Sequence, residues 1–138
     1  MRNKGFTLIE LLVVVAIIGL IAVGAIPKLL SAIDKAKNAT AKSDIESLNT
    51  ALRSYSMDNR DNSYPVSNES NISPALDSLL PDYLASLPRA PYESGTTNAY
   101  RYISDGFNYT LSVKLRDTDR QEYTLTFISN LNIYSEIR

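Results

Sequence analysis

From Phe6 to Ile26 the chain runs for 21 residues with a single charge, Glu10. A helix rises about 1.5 Å per residue, so this run spans roughly 30 Å, the thickness of a bilayer's hydrocarbon core. Arg2 and Lys4 precede it. Basic residues stay on the cytoplasmic side, so the N-terminus is expected inside and the remaining chain across the membrane. Glu10 is out of place there. A carboxylate within an apolar span costs about 2.5–3.5 kcal/mol to insert, which makes it a functional candidate. Three plainer readings fit less well. A secretory signal has an apolar region of only about 7–15 residues. A simple single-pass anchor leaves Glu10 unexplained, and a buried core helix rarely carries so long an apolar run.

Gly5-Phe6-Thr7-Leu8-Ile9-Glu10, the apolar run and then Pro27 resemble the N-terminus of type IV pilins and type II secretion pseudopilins. The resemblance is specific over residues 5 to 27 and one of pattern only beyond them. It implies a leader of residues 1–5, cut after Gly5 by a prepilin peptidase on the cytoplasmic face, and a methylated amine on Phe6. Residues 6–30 would then form the transmembrane and filament-core helix, and residues 31–138 the head domain.

Cleavage would free an α-amine at Phe6, a group with a pKa of about 8. Residues at i and i+4 share a helix face, so Glu10 could pair with the amine of its own chain. An axially staggered neighbour could instead bring its Phe6 amine to this Glu10. The attraction in a dry bundle is strong but largely offset by desolvation, so it favours a register more surely than it adds stability. The resemblance implies the same register role. The plain alternative is a carboxylate snorkelling at the membrane edge.

The rest of the chain has room for one modest domain among its 138 residues. With no Cys and no His, disulfides, cysteine nucleophiles, histidine bases and the usual zinc sites are excluded. Many pilins close their C-terminal region with a disulfide, and this chain departs from that pattern. Without Arg2 and Lys4, 12 basic residues face 15 acidic ones.

Past Leu30, Ile33, Ala36 or Lys37, Ala41, Ile45, Leu48, Leu52 and Tyr55 recur at three- and four-residue steps, which predicts one buried helix face over about residues 31–58. The Asp58–Pro65 stretch supplies breakers. Pro27 lacks the N–H that would bond the Val23 carbonyl, and Gly19 and Gly24 weaken the same interval, so a kink or loosening is expected there. In assembled filaments the resemblance implies loss of helicity just before this proline. Ala16, Gly19, Ala22 and Ala25 form a stripe that permits close helix approach.

Residues 59–98 read as a connection: polar loops around a short helix over Pro74–Leu87 that buries Leu76, Leu79, Leu80 and Leu84. From about residue 99 to 137 the period changes to two. Tyr102, then Tyr109, Leu111, Val113 and Leu115, then Tyr123, Leu125 and Phe127 alternate with polar residues, which predicts strands. Asp105-Gly106 and Arg116–Gln121 mark hairpin turns. Leu131–Ile137 would be a fourth strand or lie along the sheet edge. The expected fold is therefore α+β: a long N-terminal helical spine with a small antiparallel sheet packed on its second half.

Asp117, Asp119 and Glu122 are weak candidates for a calcium site, a ligand that some major pseudopilins bind in their C-terminal region. Here no glycine or dense oxygen run accompanies them, and Arg116 and Arg120 offset their charge, so a solvated turn is expected and no metal or cofactor is assigned. Residues 61–138 carry six basic and ten acidic groups, which opposes direct nucleic-acid binding. The sequons at Asn38, Asn68, Asn71 and Asn108 are given no role. A membrane-tethered enzyme or receptor is disfavoured because no catalytic constellation is present.

Two structural roles remain. One is a subunit of an extracellular type IV pilus for adhesion, motility or DNA uptake. The other is a pseudopilin of a periplasmic secretion filament. Either would polymerise with copies of itself and engage the peptidase and an inner-membrane assembly platform. The absence of tryptophan and of a glycine-rich C-terminal loop leans the sequence toward the pilus.

Overall fold

The computed structural model describes residues 5–68, 72, 74–92 and 100–138. Residues 93–98 of the expected connection and residues 1–4 of the expected leader lie outside them. One helix, α1 (Leu8–Asp58), is followed by four strands: β1 (Arg101–Ser104), β2 (Tyr109–Arg116), β3 (Glu122–Ile128) and β4 (Ile133–Ile137). The chain divides into two compact units, one ending at Ile33 and the other spanning Asp34–Arg138.

In the first unit, helical propensity and a continuous apolar run suffice to form the helix. From Phe6 to Leu29 every large apolar side chain is exposed. Among the described residues, α1 is the one helix long and apolar enough to cross a membrane. It remains helical through Gly19, Gly24 and Pro27.

The second unit holds the core. Ala41, Ile45, Leu48, Ala51 and Leu52 are buried along one face of α1. The sheet is an antiparallel meander in the order β1-β2-β3-β4. Its inward positions, Tyr102, Tyr109, Leu111, Val113, Leu115, Leu125 and Phe127, join that helical face in a single core. Each such burial contributes roughly 1.5–3 kcal/mol. Register follows from the alternation: Leu111 stands opposite both Tyr102 and Phe127, and Val113 opposite Leu125. A one-residue slip would turn this whole set outward.

Both predicted hairpin turns form. Gly106 takes φ +95°, which favours glycine, and a Cβ there would meet Val66 Cγ2 at 3.3 Å. Asp105 Oδ1 accepts the N–H groups of Phe107 and Asn108 at 2.8 and 2.6 Å. The C-terminal segment is held without a disulfide because Ile133–Ile137 pairs along β3, from Ile128↔Ile133 to Thr124↔Ile137. Arg53 Nη2 also donates to Asn132 Oδ1 at 3.4 Å.

Two expectations are corrected. The short helix over Pro74–Leu87 is reduced to a single 3₁₀ turn, Asp77–Leu79. Leu80 precedes Pro81 and is driven to extended backbone, φ −95° and ψ 143°, which stops the helix. Leu76 and Leu79 are nonetheless fully buried. The buried stripe of α1 also does not begin with Ile33, Ala36 and Lys37, which are exposed; Asp34 is buried and Asn38 half-buried instead. Their partners are polar, so a search for apolar periodicity passes over them.

Candidate functional site

The N-terminal segment is built by one local device. Thr7 precedes the first helical residue, where the backbone N–H groups of the first turn have no helical acceptor. Thr7 N–H donates to Glu10 Oε2 at 2.8 Å, and the Thr7 hydroxyl donates to the same oxygen at 2.7 Å. In return Glu10 N–H donates to Thr7 Oγ1 at 3.4 Å. This reciprocal pattern is a capping box. Glu10 in the single subunit is therefore a helix cap as well as a charge in an apolar run. The sequence carried the signal, Thr-x-x-Glu ahead of apolar residues, but Glu10 stood out by its charge and by the resemblance, and Thr7 was missed.

Gly5 and Phe6 precede the helix and are exposed, Phe6 at 86 %. Phe6, Ile9, Glu10, Val13 and Val14 line one shallow, apolar groove. Beyond the helix's own backbone, no atom of the described residues lies within 4 Å of a Cβ added at Gly19 or Gly24, so packing among those residues requires neither glycine.

Asp117, Asp119 and Glu122 are neighbours in sequence but perform separate tasks. Asp117 Oδ1 accepts the N–H groups of Asp119 and Gln121 at 3.0 and 2.8 Å, closing the β2–β3 turn. Glu122 Oε1 lies 3.5 Å from Arg116 Nη2. Among the described residues no group of three or more acidic side chains is placed to hold a metal.

A capped apolar helix whose large side chains are exposed from Phe6 to Leu29, joined in sequence to an α+β head, defines the pilin-like class. Comparison with known proteins narrows this. The prokaryotic N-terminal methylation motif matches residues 1–26, and the type II secretion system protein G family matches residues 28–126. Type II secretion system core protein G of Vibrio cholerae is 33 % identical over 129 residues, covering 88 % of this chain and 84 % of the relative. The protein of the same description from Aeromonas hydrophila is 31 % identical over 146 residues, covering 96 % of this chain and 94 % of the relative. The type IV major pilin protein PilA of Myxococcus xanthus is 48 % identical over only 54 residues, 39 % of this chain and 24 % of the relative. No solved structure matches.

The chain belongs to the type II secretion system protein G family. That family is structural rather than enzymatic. The lean toward a pilus, drawn from a missing tryptophan and a missing glycine-rich loop, is thereby corrected in favour of the secretion alternative. Two absences weigh less than similarity that extends across nearly the whole chain.

Proposed function

We propose that this protein is a pseudopilin of a type II secretion system, the repeating subunit of a filament that drives folded proteins toward an outer-membrane channel. The observation that carries this reading is similarity to core protein G over 88 % of the chain, head included, against 39 % for the pilin. In this reading residues 1–5 are a leader, cleaved after Gly5, and Phe6 is then methylated by the peptidase. Residues 6–30 anchor the subunit in the inner membrane with the N-terminus cytoplasmic. Exposure of every large apolar side chain from Phe6 to Leu29 supports an outer cover, lipid before assembly and other subunits after it.

Assembly then becomes a transfer of apolar surface from lipid to a bundle of identical helices. Glu10 would meet the Phe6 amine of a staggered neighbour and select register. Gly19, Gly24 and Pro27 would supply the interval that loosens as the helix is pulled from the membrane, since Pro27 leaves the Val23 carbonyl without its helical donor. The assembled filament would lie in the periplasm. The test is a deletion strain: an exported enzyme should accumulate, folded, in the periplasm while surface pili persist. Unimpaired export with loss of sheared surface filaments would overturn the secretion reading.

A further inference from the structure

Asp34 is the one acidic residue among those described that is buried, at 4 % exposure. Burying a carboxylate is expensive unless the surroundings compensate it. Its Oδ2 accepts no hydrogen bond, yet Arg120 Nε stands 3.4 Å away, close enough to pair by charge. Arg120 occupies the left-handed region, φ 62°, in the β2–β3 turn that Asp117 closes. The turn therefore fixes the backbone from which Arg120 reaches Asp34, while the Arg120 side chain is 47 % exposed.

A second layer surrounds this pair. The Tyr92 hydroxyl lies 2.9 Å from both the Asp34 carbonyl and Asn38 Oδ1. The Asn38 side-chain amide bonds both the N–H and the carbonyl of Arg116, at the end of β2. Lys37 Nζ and Arg116 Cζ lie 5.1 and 4.9 Å from the Tyr92 ring centre. Three stretches of chain thus meet through polar groups: residues 34–38 of α1, Tyr92, and the β2–β3 turn. The fully apolar seam begins only at Ala41.

We propose that Asp34 is a positioning residue in a polar clasp that shuts the β2–β3 turn and Tyr92 against α1, and that this end of the head opens locally, as one unit, when the Asp34–Arg120 pair is lost. Segments held by few buried apolar contacts open at lower free energy than the core they adjoin. The buried carboxylate reinforces closure: without Arg120 it would be left as an uncompensated charge, which opening the turn would relieve by admitting water. Because Oδ2 receives charge rather than a directed hydrogen bond, the fork of the guanidinium is not needed, and a lysine can replace it.

The test is hydrogen exchange followed by mass spectrometry on the full chain in detergent micelles. Asp34→Asn and Arg120→Gln should each accelerate exchange about tenfold or more in peptides covering residues 117–123, with the Tyr92 region following. Peptides covering the β1–β2 pairing should keep their wild-type rates. The double variant should be no faster than either single one, and Arg120→Lys should stay near wild type. The proposal is overturned if exchange in residues 117–123 is unchanged, if it rises equally across β1 and β2, if the two substitutions add, or if lysine behaves as glutamine does. The exposed Arg120 variants decide the matter even where Asp34→Asn fails to fold.

Discussion

Tyr100 donates its hydroxyl to Asp44 Oδ2 across 2.6 Å, from a side chain that is otherwise wholly buried. Tyr109 makes the matching bond to Asn49 Oδ1. Asp44 and Asn49 flank Ile45 and Leu48 on α1, so two tyrosines contribute rings to the core and hydroxyls to its rim. A Tyr that can place its ring in apolar surroundings and its O–H on a partner satisfies both of its halves.

Tyr100→Phe therefore keeps the packing and removes a hydrogen bond to an ionised acceptor. Such bonds contribute about 1.5–3 kcal/mol. Asp44 is only half-buried and can rehydrate, so a loss near the lower end, roughly 1.5–2 kcal/mol, is expected. Urea denaturation of wild type and variant measures it, and an unchanged midpoint would count against the bond.

The tyrosines also set an alkaline limit. Burial, the largest cause in each case, pushes the hydroxyls of Tyr92 and Tyr102 up to about 12. Burial also raises Tyr100 and Tyr109. In the unfolded chain these groups titrate near 10. Above about pH 10 the unfolded state gives up protons that the folded state retains, so unfolding becomes more favourable as pH rises. Stability from this source should be intact below about pH 10 and fall from there toward pH 12. Thermal melts monitored by circular dichroism across that range test it. A head whose melting temperature does not fall between pH 10 and pH 12 would contradict the burial of these rings.

Gly106 and Phe107 separate backbone demand from surface display. Gly106→Ala places a Cβ at φ +95° and 3.3 Å from Val66 Cγ2, and should cost about 1–2 kcal/mol. Phe107 is 75 % exposed, and Phe107→Ser should change stability by no more than about 0.5 kcal/mol. Equal effects in the two variants would mean that the turn differs from the one described.

Period explains what the sequence disclosed and what it hid. The two-residue alternation of Tyr109–Leu115 and Tyr123–Phe127 is a direct consequence of one face being buried, so the strands and both turns were legible. The stripe from Ala41 to Leu52 was legible for the same reason at helical spacing. Asp34 and Asn38 were not, because their burial depends on Arg120, Tyr92 and the Arg116 backbone, between 54 and 86 residues away in the chain. The helix expected at Pro74–Leu87 failed on a local rule, the extended bias of Leu80 before Pro81, which outweighed the leucine spacing. At the N-terminus Glu10 stood out by its charge in an apolar run, whereas Thr7 was passed over, since a threonine there breaks no pattern.

Leu48 tests the packing of the head directly. It is fully buried between the sheet and α1, and Leu48→Ala should leave a cavity costing about 2–5 kcal/mol. The full chain in micelles should lose that amount in chemical denaturation while its helical signal in lipid persists, because residues 8–33 form a separate unit. Collapse of both together would place the two units in one cooperative structure.

Glu10 separates membrane residence from assembly. Removing its charge should make the isolated subunit easier to insert, by about 2.5–3.5 kcal/mol on insertion scales. The capping box offsets part of that gain, since Glu10→Ala also deletes the acceptor of the Thr7 N–H and hydroxyl. Both Thr7 bonds fall on Oε2, so Oε1 carries neither of them, and the carboxylate can cap its own helix while facing the amine of another chain. For a register role, Glu10→Ala must therefore insert and be cleaved after Gly5, yet fail to build filaments when no wild-type subunit is present. For a simple tether, the same substitution would be neutral or favourable. Intact-mass measurement of the mature chain confirms processing, and cross-linking of membranes or microscopy of overproduced filaments reads assembly. Normal filaments built only from Glu10→Ala subunits would sink the register role and leave Glu10 as a helix cap alone.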